Sequence, residues 1–217
     1  MDGSATGASP TLERIREEII ADPANREATA AGLQPIYTAH PAARIVLIGQ
    51  APGVRAQRSG IPWNDPSGVT LRRWLEVTDD QFYDPTLFAI LPMDFYYPGK
   101  GAHGDLPPRP DVAPRWHPRL LAELAQVRLT VLIGRHAQKH YLTGSAGANL
   151  TDTVRAFRDH LPDRMPLVHP SPLNFRWHAR NPWFAEEAVP ALRARVHAVL
   201  QPDVDAADQE AEGSDAY

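Results

Sequence analysis

At 217 residues and 43% hydrophobic content, the chain has the length of one domain and enough apolar material to bury a core. It contains no cysteine, which excludes disulfides and any cysteine-ligated zinc or iron–sulfur cluster. No apolar run reaches the roughly 18 residues of a membrane span, and no signal-peptide core is present, so a soluble, cytoplasmic protein is expected. The formal charge of −4 is unevenly distributed. Six acids crowd the C-terminus: Asp203, Asp205, Asp208, Glu210, Glu212 and Asp215. Without them, 20 acids face 22 Lys and Arg, and the balance becomes +2. Residues 202–217 therefore read as an acidic disordered tail, and residues 11–201 as one slightly basic domain suited to modest phosphate contact.

Residues 1–10 are small and polar, and are expected to be flexible. Leu12, Ile15, Ile19 and Ile20 then recur at helical spacing. Residues 44–48 form a first apolar strand that stops at a stiff turn, Gly49-Gln50-Ala51-Pro52-Gly53. Asp65-Pro66-Ser67-Gly68 opens a short helix carrying Val69, Leu71, Trp74 and Leu75. Residues 87–91 give a second strand. Residues 92–116 are rich in Pro and Gly without periodicity, and so long an irregular segment inside a compact domain is usually functional. Leu120, Leu121 and Leu124 mark a helix, 129–133 a third strand, and 137–142 the start of another helix. A helix over 150–160 has Thr151 and Asp152 as capping candidates. Residues 165–168 are a fourth strand running into His169-Pro170-Ser171-Pro172-Leu173-Asn174, where two prolines forbid regular structure. A helix over 186–200 closes the domain, with Val189, Leu192, Val196 and Val199 on one face.

Strands alternating with helices, each strand nearly continuously apolar, predict an α/β fold: a three-layer α/β/α sandwich around a four-stranded parallel sheet. Right-handed crossovers place the loops after the strands on one edge, so Gln50, Pro92, Arg135 and His169 are expected along a common rim. Open α/β sheets hold their ligands at that edge.

A Gly-x-x-Pro-Gly turn after a strand is common, and a His-Pro-Ser-Pro-Leu run is rarer. Together and in this order, each after an apolar strand, they resemble the two signature loops of the uracil-DNA glycosylase superfamily. Val131-Leu132-Ile133-Gly134-Arg135-His136-Ala137-Gln138-Lys139 is similar to the strand-to-helix segment that precedes the histidine loop there. Gly60-Ile61-Pro62-Trp63 stands where the superfamily carries an aromatic residue. The resemblance spans residues 40–200.

The resemblance implies hydrolysis of the N-glycosidic bond of a damaged base in DNA, uracil first, by a monomer without cofactor or metal. A base inside a duplex must be extruded before it can be reached. His169 would stabilise the departing base anion, as fixed donors aimed at developing charge do. Trp63 would stack on the flipped ring, although alone it reads as core. Ala51 and Pro52 would border the base. Gly53, Ser171 and Pro172 would meet the DNA backbone, and Leu173 would wedge into the vacated stack. Arg176, Trp177, His178 and Arg180 offer cations and an aromatic to the same strand, or a solvated loop.

Several positions depart from the pattern. The main uracil-excising family has an aspartate where this chain has Ala51, and alanine can neither position nor activate water. Gln50 can orient a water but is no base. Asp65 and Asp94 are candidate replacements, and each also reads as a cap or turn residue. The superfamily commonly reads uracil with an asparagine just after the second strand; here the residues are Leu91-Pro92-Met93-Asp94, with Asn64 as possible compensation. Lys100, His103, Arg109 and Arg115 decorate the 92–116 segment without a counterpart. Two readings therefore stay open beside a uracil enzyme: an inactive DNA-binding module of the same fold, and a glycosylase for deaminated purines. His136 and His140 have a metal-like spacing but lack the intervening glutamate and a third ligand, and Gly144-Ser145-Ala146-Gly147 lacks the lysine of a phosphate loop.

Overall fold

The computed structural model describes residues 9–102, 104–145 and 147–201. Four strands form a parallel sheet in the order β2-β1-β5-β6: β1 is Ile45–Ile48, β2 Phe88–Ile90, β5 Leu129–Ile133 and β6 Arg164–Leu167. In register, Val46 pairs with both Ala89 and Thr130, and Val131 with Met165. Side chains alternate across the sheet, and both faces are buried, which explains why the strands are apolar throughout. Ile45 and Leu47 face α4 (Pro66–Leu75), α5 (Asp79–Tyr83), α8 (Leu150–Arg155) and α10 (Val189–Leu200). Val46 and Ile48 face α1 (Pro10–Ala21), α6 (Val112–Ala122) and α7 (Arg135–Tyr141). Short helices α2 (Arg26–Ala30), α3 (Val54–Ser59) and α9 (Phe175–Arg180) complete the chain with a two-residue ribbon, β3 (Lys100–Gly101) against β4 (Gly104–Asp105).

The three-layer sandwich is thus as the sequence indicates. Pro166 is tolerated because β6 is an edge strand. Several details differ. Val69 is 60% exposed, since it lies two residues from Leu71 and residues so spaced do not share a helix face. The cap of α8 is Asn149, whose Oδ1 accepts from Asp152 N at 3.0 Å, so Thr151 and Asp152 do not cap it. That helix ends at Arg155 and continues as a 3-10 turn, Phe157–His160. The irregular 92–116 segment contains the ribbon, and its end belongs to α6. There Val112, Ala113, Trp116, His117 and Leu120 form a buried helical stripe interrupted by Pro118. A π-helical turn, Phe184–Ala188, precedes α10. The flexible N-terminus and the acidic tail fall mainly outside the described residues, although Ser9 and Pro10 already belong to the start of α1. Among the described residues no helix is long and apolar enough to cross a membrane.

Candidate active site

The C-terminal ends of β1 and β6 open onto a cavity of about 520 Å³. The turn after β1 is knitted to the segment after β2 by backbone bonds: Met93 N donates to Gly49 O at 2.9 Å and Asp94 N to Gln50 O at 3.2 Å. Gln50, Ala51, Pro52 and Gly53 form one side of the cavity. Trp63 forms the next, held in the left-handed region at φ 55°. Its indole sits so close to Gly49 that a Cβ there would meet Cζ2 at 2.9 Å. Its carbonyl lies against Gly68, where a Cβ would come within 1.7 Å. Arg72 Nη1 donates to the same carbonyl at 3.4 Å. These two glycines are therefore required to seat the tryptophan.

The opposite side begins where β6 ends. The buried side-chain amide of Gln138 donates to Leu132 O at 3.2 Å and to Leu167 O at 2.8 Å, tying together the ends of β5 and β6 two residues before His169. Asn174 Nδ2 donates to His169 O at 2.7 Å. The His169 and Trp63 rings are 5.6 Å apart, centre to centre, at 34°. Burial depresses the imidazole pKa, and the Asp65 carboxylate pulls weakly the other way, so His169 is neutral near pH 7 and can still donate one N–H. Ser171 Oγ accepts from Leu173 N at 3.2 Å, which leaves the hydroxyl proton free to donate. Leu173 is 84% exposed, pushed outward by the proline turn.

Asp65 caps α4, its Oδ1 accepting from Gly68 N at 2.8 Å. Its Oδ2 faces the Gly53 turn, 3.9 Å from where a Cβ on that glycine would stand. One carboxylate oxygen is thus committed to the helix, while the residue also lines the cavity.

The third side comes from the ribbon, which brings Pro98, Gly104, Asp105 and Leu106 to the cavity. Gln50 Nε2 donates to Leu106 O at 3.4 Å, and the Tyr97 hydroxyl donates to Asp105 Oδ1 at 3.0 Å. The base of this segment is latched by Asp94. Fully buried, Asp94 receives Arg109 Nη2 at 2.7 Å and Nε at 2.8 Å, with Tyr96 N and Arg109 N also donating. Beside it, His117 is pushed down to about 4 by burial and is neutral. Its Nδ1 lies 2.6 Å from the Tyr141 hydroxyl and its Nε2 3.0 Å from Pro92 O. The carbonyl can only accept, so Nε2 carries the proton and Nδ1 accepts from Tyr141, whose own pKa burial raises.

The structure brings together His169, Gln50, Asp65, Trp63, Ala51, Pro52, Gly53, Ser171 and Leu173. Asn64 and Pro172 instead line an adjoining groove with Arg55 and Val69, so Asn64 does not replace the absent asparagine after β2. Asp94 is consumed by its ion pair and is not a water-activating residue. Arg176 is exposed and its guanidinium lies 5.6 Å from the Phe175 ring centre. Trp177 donates to Thr151 Oγ1 at 2.9 Å and packs against the core, and His178 stacks edge-on to Trp74, so these two are packing residues. Of the rim residues, Gln50, Pro92 and His169 reach the cavity, whereas Arg135 is not among its lining. Arg115 pairs with Asp22 at 2.7 Å, and His103 lies outside the described residues. Sequence patterns do not single out Asp105 and Leu106. Their only signal is the spacing of Gly99, Gly101 and Gly104, which permits the tight ribbon beneath them.

An aromatic plate, a neutral imidazole donor, two carboxylates and an exposed leucine surround this cavity of about 520 Å³. A model of the uracil DNA glycosylase superfamily matches residues 35–193, the span that contains the sheet and every residue of this cavity.

Proposed function

This chain belongs to the uracil-DNA glycosylase superfamily, and from that premise we propose that it is a DNA glycosylase hydrolysing the N-glycosidic bond of a damaged base, uracil first. One observation carries the reading most: neutral His169 sits beside Trp63, ring centres 5.6 Å apart, in the cavity at the ends of β1 and β6, with Leu173 projecting from its mouth. In this reading DNA docks on the Gly53, Ser171 and Pro172 turns, with Arg176 beside them. Leu173 enters the base stack and the extruded base lies on Trp63, bordered by Ala51 and Pro52. The C1′–N bond breaks with its electron pair leaving on the base nitrogen, and His169 donates a hydrogen bond to the carbonyl that gathers the charge. A water oxygen then bonds to C1′. Its proton passes to Asp65, whose Oδ2 faces the Gly53 turn, while Gln50 orients the water and a proton from solvent neutralises the base anion. Asp65 thus takes the part that Ala51 cannot. In this reading the protein acts as a monomer without a cofactor, in base excision repair.

The test is direct. Purified protein is incubated with duplex oligonucleotides bearing uracil, hypoxanthine or xanthine, followed by alkali. Strand cleavage at uracil is the expected result. Cleavage at the purines alone would move the enzyme to deaminated purines, and tight binding without cleavage at any lesion would make it a DNA-binding module.

A further inference from the structure

Amide groups around this cavity are already engaged in part. The amide nitrogens of Asn174 and Gln50 each donate one proton, to His169 O and Leu106 O, and Asn64 opens elsewhere. After β2 stands Pro92, whose carbonyl is taken by His117. The ribbon, by contrast, faces the cavity with a carboxylate. Asp105 Oδ1 is held by the Tyr97 hydroxyl. The strand bearing it is fixed from both ends. Leu106 N donates to Gly99 O at 2.9 Å, the Leu106 side chain packs on Gly101, and Asp94 with Arg109 anchors the base. A placed carboxylate has acceptors and no donor.

We propose that Asp105 reads the extruded base, its carboxylate accepting the ring N–H that uracil and hypoxanthine present and that cytosine and adenine lack. This rests on the glycosylase reading above. Deamination turns cytosine N3 and adenine N1 from lone-pair acceptors into the N–H donors of uracil and hypoxanthine. A cytosine or adenine offered in the same orientation would set a lone pair against the carboxylate, a repulsion in place of a hydrogen bond. A site built for one hydrogen bond rejects the ligand that lacks it far more strongly than an apolar pocket rejects an extra group. Thymine and guanine carry the same N–H, so Asp105 separates uracil from cytosine and hypoxanthine from adenine, and the cavity walls must deal with the others. The Tyr97 hydroxyl orients the carboxylate without touching the base.

Uracil and N3-methyluracil, placed in the same duplex, isolate this contact because methylation deletes the donor. For the parent protein, N3-methylation is expected to slow single-turnover excision by about tenfold to a hundredfold, the range for a hydrogen bond to a charged group. Asp105→Ala should slow uracil excision by a similar factor and bring the uracil to N3-methyluracil rate ratio close to one, since it removes the acceptor and makes room for the methyl. Tyr97→Phe leaves the acceptor in place and should lower the ratio less than Asp105→Ala does, whereas an equal collapse in both would make the shape of the ribbon, and not the acceptor, the discriminating feature and overturn the proposal. An unchanged ratio in Asp105→Ala overturns the proposal. If the parent excises nothing, the hydrolysis reading has failed on its own, and the same ratio is read as affinity for the two oligonucleotides. Dependence of that affinity ratio on Asp105 upholds the assignment and independence overturns it.

Discussion

The turns after β1 and β6 hold their shape mainly through proline and glycine torsions and near-neighbour bonds, whereas the ribbon side of the cavity is held by side chains from distant parts of the chain. In the first region, Pro52, Pro170 and Pro172 fix torsions, Gly49 and Gly68 admit Trp63, and backbone bonds connect the turn to the end of β2. In the second, Asp94 and Arg109 close the loop, Arg109 Nη1 reaches Ala24 O and Asn25 Oδ1, and Tyr97 N finds Gln57 Oε1. The first region carries the groups proposed for bond breaking and the second the group proposed for base selection. Chemistry sits on the part that cannot relax, and selectivity on the part whose shape depends on a few long-range bonds.

That division can be broken from either side. The largest effect is expected at Asp65. Asp65→Asn keeps an N-cap, since Asn and Asp cap about equally well, but removes the base. Its single-turnover rate should fall by on the order of 10²–10⁴, with melting temperature and DNA affinity nearly unchanged. Full activity would return the water to Gln50 alone. On the ribbon side, Arg109→Ala leaves the fully buried Asp94 carboxylate without its partner and should cost about 3–5 kcal/mol in denaturant unfolding. A loss below about 1 kcal/mol would mean that the latch is not what holds this wall.

Acid offers a subtler probe of the same wall. His117 titrates at about 4 when folded against 6.5 when free. The unfolded chain therefore binds the proton first, and stability from this group is complete above 6.5 and drains away as pH falls toward 4. The loss is on the order of 3 kcal/mol. His117→Gln can bond both Pro92 O and the Tyr141 hydroxyl without titrating, so its stability should decline less steeply across that window. Equal slopes would remove His117 from the account. The smallest effect on the fold is expected at the mouth of the cavity. Leu173→Ala should change stability by less than about 0.5 kcal/mol, because the side chain is 84% exposed. It should slow excision from paired duplex more than from single strands, where no stack must be opened. Equal slowing on both substrates would exclude a wedge.

The same contrast decides what the sequence discloses. Strands Leu129–Ile133 and Ile45–Ile48 are legible because uninterrupted burial on two faces leaves an apolar run. Trp63, which alone reads as core, is picked out only by the family resemblance, whereas His169 and Gln50 stand out because proline and glycine stiffen their neighbourhoods locally. Leu173 is legible as a projecting side chain for the same reason. Asp94 was not: a carboxylate after a strand looks the same whether it activates water or meets an arginine fifteen residues on, and only the fold brings Arg109 to it. Asn64 is one residue from Trp63, yet the left-handed turn at Trp63 sends it to the neighbouring groove. Trp177 reads as a nucleic-acid contact by composition, but Thr151 and the core claim it. Asp105 lies in a run with no period, so its place depends entirely on long-range contacts that no local pattern encodes.

The claim on which all of this rests is that His169 stabilises the departing base from a buried, neutral state. The most direct measurement is the single-turnover excision rate of His169→Ala beside that of the parent on the same uracil-containing duplex, with DNA affinity determined for both. The account predicts a rate lower by about 10²–10³ at unchanged affinity, the usual cost of removing one such donor. Equal rates on a substrate the parent cleaves would contradict it.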